Sequence, residues 1–325
     1  MKIHILYTMQ DGAWGGGNQF LRALRDEFRR LGVYAETVAE AEAVLCNSYH
    51  RLGEALRLKF RYPHKRFIHR LGPVFRYHRG EKWRAMDRAI VDVASRLSEL
   101  VVWQSEWSRR QADDFPPAKN QVIIGNAADP AIFYVDKNIR HPHVPLVRLL
   151  ATSWSANSKK GFACYRFLDQ TLDFNRYEMT FVGNASGSFQ HIKKLPPLQS
   201  RELARVINEH DIFVSGAADD ACSNAIIEAL ACGLPVVAFD SGGSRELVGD
   251  GGELFGAVGE APAKIDLVAD NYARYAAQVW PQPIAAVAQL YLRAIDGTPT
   301  ARRLPFGELL CLSAEYALAR LKVRL

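Results

Sequence analysis

Several features are missing from the 325-residue chain, and each absence narrows the reading. No uncharged apolar run is long enough to cross a bilayer. The first residues, MKIHILYTMQDG, have neither the apolar core nor the small-residue cleavage site of a secretory signal, and a first strand over residues 2–7 is expected there instead. The five cysteines (Cys46, Cys164, Cys222, Cys232, Cys311) form no C-x-x-C pair and no metal-ligand spacing, so reduced thiols in a cytoplasmic protein are expected. There is no His/Cys/Asp ligand cluster, and neither a metal nor a resident cofactor is expected. Zinc-finger spacing and helix-turn-helix or RNA-binding signatures are also absent, which sets nucleic acid aside as a partner.

What is present is a globular composition, 48% hydrophobic, at a length that suits two domains. The formal net charge of +6 is concentrated. Between Arg51 and Arg84 lie Arg57, Lys59, Arg61, Lys65, Arg66, Arg70, Arg76, Arg79 and Lys82, opposed by Glu54 and Glu81 and interleaved with Phe60, Tyr62, Phe67, Phe75, Tyr77 and Trp83. This is either a solvated face with a normal core behind it or the footprint of an anionic partner, such as a phosphate-bearing acceptor or an anionic membrane surface.

Strand-like and helix-like segments alternate. Residues 18–31 place Phe20, Leu21, Leu24, Phe28 and Leu31 on one helical face before Gly32. Strands are expected at 43–46, 65–69, 100–104 and 121–124, and helices at 81–98 and 105–115, the latter capped by Ser105. A polar, proline-bearing stretch at 134–145 reads as a linker, after which the alternation restarts. Strands follow at 146–151, 177–182 and 211–215, helices at 161–172 and 200–208, and the chain ends in helices at 263–279, 283–295 and 306–321. Repeated strand–helix order implies parallel, doubly wound sheets. The expected division is an N-terminal domain at 1–140, a second at 141–295, and a basic amphipathic helix at 296–325.

The most informative stretch is 219–246, DDACSNAIIEALACGLPVVAFDSGGSRE. Ile226, Ile227 and Leu230 recur at helical spacing, Gly233-Leu234-Pro235 stops the helix, and residues 235–239 form a short apolar strand before the loop Ser241-Gly242-Gly243-Ser244. Glycine loops and helix N-termini at the ends of parallel strands expose N–H groups that bind phosphate. An acid at Asp220 precedes Glu228 by eight positions.

This stretch resembles the donor-binding motif of glycosyltransferase family 4, retaining enzymes of the GT-B fold. Glu228, Ala229, Cys232, Gly233, Pro235, Gly242, Gly243 and Glu246 fall in register with it. The departure is Asp220, where the family carries Glu. The resemblance extends to Asn126, Asp129 and Phe133 of the segment NAADPAIF, to the Lys-Gly-Phe at 160–162, and to the glycine-rich loop 12–18. The family's diphosphate-binding arginine is absent, with Ser153 or Ser155 near its place.

The resemblance implies two Rossmann-like doubly wound domains facing across a cleft, with a C-terminal helix crossing back. It implies a nucleoside-diphosphate sugar as co-substrate and no metal, in keeping with the lack of an Asp-x-Asp motif. Donor-binding roles are implied for Gly15, Gly16, Gly17, Lys159, Lys160, Asp220, Ala221, Cys222, Ser223, Asn224 and Glu228. Catalytic roles are implied for Asp220, for Lys160 at the diphosphate, and for His69, which closes the strand KRFIH. By its residues alone His69 is equally a packed histidine, and Asn126 and Asp129 order a turn. The expected activity is sugar transfer to a hydroxyl of a saccharide or lipid-linked acceptor, in bacterial cell-envelope polysaccharide or glycolipid synthesis, by a cytoplasmic or peripheral inner-face protein. A non-catalytic sugar-nucleotide-binding protein and a GT-B epimerase are the alternatives.

Overall fold

The computed structural model describes residues 1–10, 16–115, 118–139, 146–185 and 187–323. The chain divides into two compact units. One comprises Met1–Met9, Leu24–Gly125 and Ala285–Leu325, and the other Gln10–Ala23 and Asn126–Ile284. The division therefore falls after Gly125 rather than at 140, because Phe133 and Ile132 already pack into the core of the second unit. Residues 134–136 of the expected linker are tied to the second unit as well: Asn208 donates to the Tyr134 carbonyl and accepts from the Asp136 N–H. Residues 140–145 lie outside the described residues. The last segment of the chain, from Ala285, belongs to the first unit.

The first unit holds a five-stranded parallel sheet: β1 (Ile3–Leu6), β2 (Ala43–Asn47), β3 (Arg66–Leu71), β4 (Leu100–Trp103) and β5 (Gln121–Ile123), paired in that order. β2 and β4 are buried along their whole length, as near-continuous apolar strands covered on both faces are. The accompanying helices are α1 (Gly16–Arg30), α2 (Leu52–Arg61), α3 (Arg76–Arg79), α4 (Arg84–Leu97) and α5 (Glu106–Arg110). The first half of α1 belongs to the second unit.

α2 was not among the expected helices. Its inner face is Leu52, Ala55, Leu56 and Lys59, and a lysine at the fourth core position hides the apolar period. Lys65, Arg70 and Arg76 also turn inward, so the basic stretch 51–84 is not one solvated face.

Lys59 survives burial because Glu99 meets it. Its Nζ lies 2.8 Å from Glu99 Oε1. Burial pulls the Lys59 ammonium down from its ordinary pKa, and Glu99 opposes that pull. The same carboxylate accepts from the Phe67 N–H at 2.6 Å and from the Arg302 N–H at 2.9 Å. Glu99 thus joins α2, β3 and the approach to the last helix.

The second unit holds a six-stranded parallel sheet: β6 (Val147–Ser153), β7 (Tyr177–Gly183), β8 (Lys193–Leu195), β9 (Ile212–Ser215), β10 (Val236–Phe239) and β11 (Gly252–Phe255). The order across the sheet is β11-β10-β9-β6-β7-β8, so the chain winds outward from β6 in both directions. In the first sheet the order runs straight through. Apolar cores cover both faces of the second sheet, one under α6 (Phe162–Thr171) and α10 (Ala261–Asp270), the other under α7 (Ser200–Asn208) and α8 (Asn224–Ala231). α9 (Ser244–Val248) follows the glycine loop. The helix expected over 263–279 is two, α10 and α11 (Tyr272–Gln278), separated by Asn271. α12 (Ile284–Asp296) and α13 (Phe306–Val323) end the chain. α13 packs Leu309, Leu312, Tyr316 and Ala319 into the first unit's core, against α4 and α2.

Removing Glu99 strands a buried ammonium and frees two N–H groups. Glu99→Ala is expected to cost about 3–5 kcal/mol, read as a fall in the denaturation midpoint. A change within ~0.5 kcal/mol would mean that Lys59 finds water instead.

Candidate functional site

A parallel sheet that winds both ways leaves a crevice beyond the carboxyl ends of its two central strands, since the connecting loops diverge there. In the second unit that crevice lies between β6 and β9. It is occupied by a cavity of about 270 Å³ whose walls include Thr152 and Ser153 of β6, Ser215 of β9, and Lys160, Asp220 and Glu228. Its lining residues all belong to the second unit.

Three loops meet at this cavity, and glycine allows them to meet. Gly161 follows the lysine pair and has φ 86°, and a Cβ there would stand 2.4 Å from the Gly216 carbonyl carbon. The Ala218 N–H then donates to the Lys159 carbonyl at 2.8 Å. On the other side, Gly242 has φ 67° and a Cβ would fall 2.2 Å from the Asp220 carbonyl oxygen. The Gly243 N–H donates to that oxygen at 2.8 Å, and the Asp219 N–H to Ser241 Oγ at 3.0 Å. Asp219 itself sits at φ 56°, a left-handed conformation that this loop imposes. Asp219 and Asp220 are therefore clamped between the lysine turn and the glycine loop.

The clamp sets two ion pairs side by side. Lys160 Nζ lies 2.8 Å from Asp220 Oδ2, and Lys159 Nζ 2.7 Å from Asp219 Oδ2. The Asp220 charge raises the Lys160 pKa, so the ammonium stays protonated. Both pairs keep contact with solvent, and their net contribution to stability is small.

Glu228 differs from these. It stands on the second turn of α8, one helical turn beyond Asn224, and both side chains reach the cavity wall. Among the described residues its side chain has no hydrogen-bond or ion-pair partner. Surrounding protein atoms strip its hydration and push its pKa up to about 8. A carboxylate placed this way is short of donors, and a ligand with hydroxyl groups would supply them.

The remaining expected residues divide. Ser223 precedes α8, makes no side-chain capping bond, and lines the cavity. Gly16 also lines it, pressed so close to Asn224 that a Cβ would fall 2.3 Å from Asn224 Cβ. Asn126 holds Asn224 from the other side, its Nδ2 donating to Asn224 Oδ1 at 3.2 Å, a contact the turn-ordering expectation did not include. Asp129 does order its turn, accepting from the Ala131 N–H at 2.9 Å. Ala221 and Cys222 are buried away from the cavity, so their side chains do not line it. Gly17 is not on the wall, and Gly15 lies outside the described residues.

His69 is corrected. It is not at a strand end: β3 runs on to Leu71, and the His69 ring is wholly buried. Its Nε2 is 2.8 Å from the Ser48 carbonyl, and burial lowers its pKa to about 4, so the neutral ring donates to Ser48. A ring in that state packs the sheet and props the loop after β2, and it presents nothing to a sugar.

Sequence reading missed Gln19, Trp154, Pro197, Leu198 and Ser200 on the wall. Trp154 follows β6 directly and is 45% exposed, and a tryptophan just past a predicted strand was the signal in the sequence.

The raised Glu228 pKa gives a pH test. Its folded value lies above the ordinary 4.5, so its contribution to stability is full below pH 4.5 and is lost as pH rises through about 8. Glu228→Gln, which cannot ionise, is expected to melt higher than the parent at pH 9, with the difference shrinking steadily toward pH 4.5. A pH-independent difference would show that the carboxyl is hydrated in the folded protein.

Comparison with known proteins agrees with this geometry. Residues 172–273 match the family model described as "Glycosyl transferases group 1". No curated protein matches the chain. Among solved structures, the chain is similar to sucrose-phosphate synthase from Thermosynechococcus elongatus, with a TM-score of 0.67 at 10% identity over 100% of this chain and 99% of that one. It is similar to Anabaena HepE in complex with UDP and glucose, with a TM-score of 0.65 at 17% identity over 100% of both chains. It is also similar to an E. coli trehalose-6-phosphate protein bound with UDP-2-fluoro glucose, with a TM-score of 0.61 at 12% identity over 86% of this chain and 78% of that one. The fold is therefore GT-B, with two Rossmann-like parallel-sheet units, and the segment that carries the cavity's acids matches the group 1 glycosyl transferases.

Proposed function

We propose that the protein is a retaining glycosyltransferase that moves a hexose from a uridine-diphosphate sugar to a hydroxyl of a saccharide or lipid-linked acceptor in cell-envelope polysaccharide or glycolipid synthesis, without a metal. The observation that carries this reading is Glu228: a carboxyl group with no side-chain hydrogen-bond or ion-pair partner among the described residues, on the wall of a cavity at the switch point of a parallel sheet, in the segment matched to group 1 glycosyl transferases. The similar structures that hold UDP or UDP-sugars favour uridine.

In this reading the two ribose hydroxyls donate to Glu228. The diphosphate lies against Lys160, and the sugar meets Asp220. The C1–O bond to the β-phosphate breaks, and the leaving diphosphate takes the electron pair while Lys160 stabilises its charge. The acceptor oxygen bonds to C1 on the same face and passes its proton to the departing phosphate. No protein nucleophile takes part. The Lys160–Asp220 pair tunes this arrangement: the incoming diphosphate competes with Asp220 for Lys160, and the carboxylate freed from it can accept from sugar hydroxyls. The same pair also motivates a non-catalytic reading, in which Lys160 stays bound to Asp220 and nucleotide binds without turnover.

Binding tests the reading. Ribose hydroxyls repay the lost hydration of Glu228, so its pKa should fall when UDP binds. Calorimetry at pH 7 in buffers of different ionisation heat is expected to show release of up to about one proton per UDP. Glu228→Gln should release none, and Glu228→Ala should lose the thermal stabilisation by UDP while remaining folded. Wild-type UDP affinity in a folded Glu228→Ala protein would overturn the assignment. With a sugar acceptor, Lys160→Ala is expected to lower kcat about 10²–10³-fold. UDP binding with no turnover of any UDP-sugar would instead establish the non-catalytic reading.

A further inference from the structure

We propose that the outer face of α13, together with the adjoining tip of α2, lies on an anionic lipid surface. Helices that cover a core are ordinarily apolar on one side and polar on the other. α13 is apolar on both. Its inner face is spent on the core of the first unit. On the opposite side Phe306, Leu310, Ala314, Ala317 and Leu321 recur at intervals of four, four, three and four, and all five are exposed. Phe306 is 61%, Leu310 53% and Leu321 74% exposed, and Leu318, beside the stripe, is 61% exposed.

The stripe continues onto α2. Phe60, itself 61% exposed, has its ring 5.7 Å from that of Phe306. The two rings border a hollow of about 370 Å³ that Arg303 also lines. An apolar face of this extent, on a helix roughly 27 Å long at 1.5 Å per residue, is costly to leave in water.

Charge chooses the occupant. Arg57 and Arg61 on α2, Arg303 before α13, and Arg320 and Lys322 near its end are all exposed around the stripe. Of the acids on α13, Glu308 is turned aside to Arg96 at 3.1 Å, leaving Glu315 as the exposed one. Apolar side chains bordered by long cationic ones match the boundary between acyl chains and anionic headgroups, where the stems pack and the charges reach phosphate. A second copy of this face would set the same cations against one another. The helix lies on the surface and does not cross it, since no described helix is long and apolar enough to span a membrane.

The test uses the full chain and vesicle co-sedimentation. Phosphatidylcholine vesicles are compared with vesicles containing about one-third phosphatidylglycerol, at low salt and at ~0.5 M salt. The parent is expected to bind the anionic vesicles and to leave them at high salt. The double variant Leu310→Asp, Leu321→Asp should bind about tenfold or more weakly, with an unchanged melting temperature and an unchanged stabilisation by UDP. Arg303→Glu with Arg320→Glu should lose binding at low salt. The UDP measurement keeps this proposal separate from the donor assignment, because each can fail while the other stands. A parent protein that ignores anionic vesicles, or binds neutral ones equally, overturns the proposal. So does a dimer in sedimentation velocity that the leucine substitutions dissociate, which would assign the face to a second copy.

Discussion

The chemistry of the second unit depends on one steric constraint: three backbone loops come closer together than any side chain would permit. Gly161 lies against Gly216, and Gly242 lies against Asp220. Both close approaches put the neighbouring segment within hydrogen-bonding reach, so the lysine turn and the glycine loop each bond to the loop that carries Asp219 and Asp220. A methyl group at either glycine would have to displace backbone, which cannot rotate out of the way as a side chain can. Without this clamp neither lysine would have a fixed acid to face, and the cavity would lose the wall that carries charge.

The clamp also explains how a site with few free charges can await a charged ligand. Lys160 on the cavity wall, and Lys159 beside it, are each paired with an aspartate held in place by backbone, so that wall carries little uncompensated charge. An anion arriving at Lys160 need not pull a cation out of bulk water. It exchanges for a carboxylate already in place, and the ammonium it meets is held near that position by the clamp. Glu228 is the contrasting acid on the cavity lining. Burial pushes its carboxyl up to about 8, so ionising it is costly unless a partner donates hydrogen bonds. The paired lysine and the unpaired carboxyl set different terms for a ligand: one must compete with an acid, the other lacks a hydrogen-bond donor.

Much of this was legible in the sequence for a physical reason. The segment from Asp220 to Glu246 combines local signals that agree: helical spacing at Ile226, Ile227 and Leu230, a glycine stop, a short apolar strand, and a glycine loop. Each is set by near neighbours in sequence, so each can be read there. What was not legible depended on distant contacts. Lys59 disguised α2 because its partner, Glu99, lies forty residues away, and the basic stretch 51–84 divided into inward and outward residues according to which cations found such partners. The expected strand at 65–69 ends on His69, one residue before Arg70. In fact Arg70 continues β3 and is buried, with its guanidinium bonded to Asn47 and Gln104. Charged residues inside a parallel strand look like a strand end when their partners cannot be seen.

The same limit accounts for the last helix. Read as a sequence, residues 306–321 form an amphipathic helix with basic ends, and amphipathic is the natural assumption for any helix at the edge of a domain. Only the packing shows that the residues used against the core are Leu309, Leu312, Tyr316 and Ala319, and that a second apolar row remains outside. The core is complete without that row: the inner residues are buried by α2 and α4, and Glu99 and Arg96 hold the approach to the helix through Arg302. Leu310 and Leu321 are outside that core, and leaving them in water carries a cost. Folding alone does not account for that row, and a surface that covers it does.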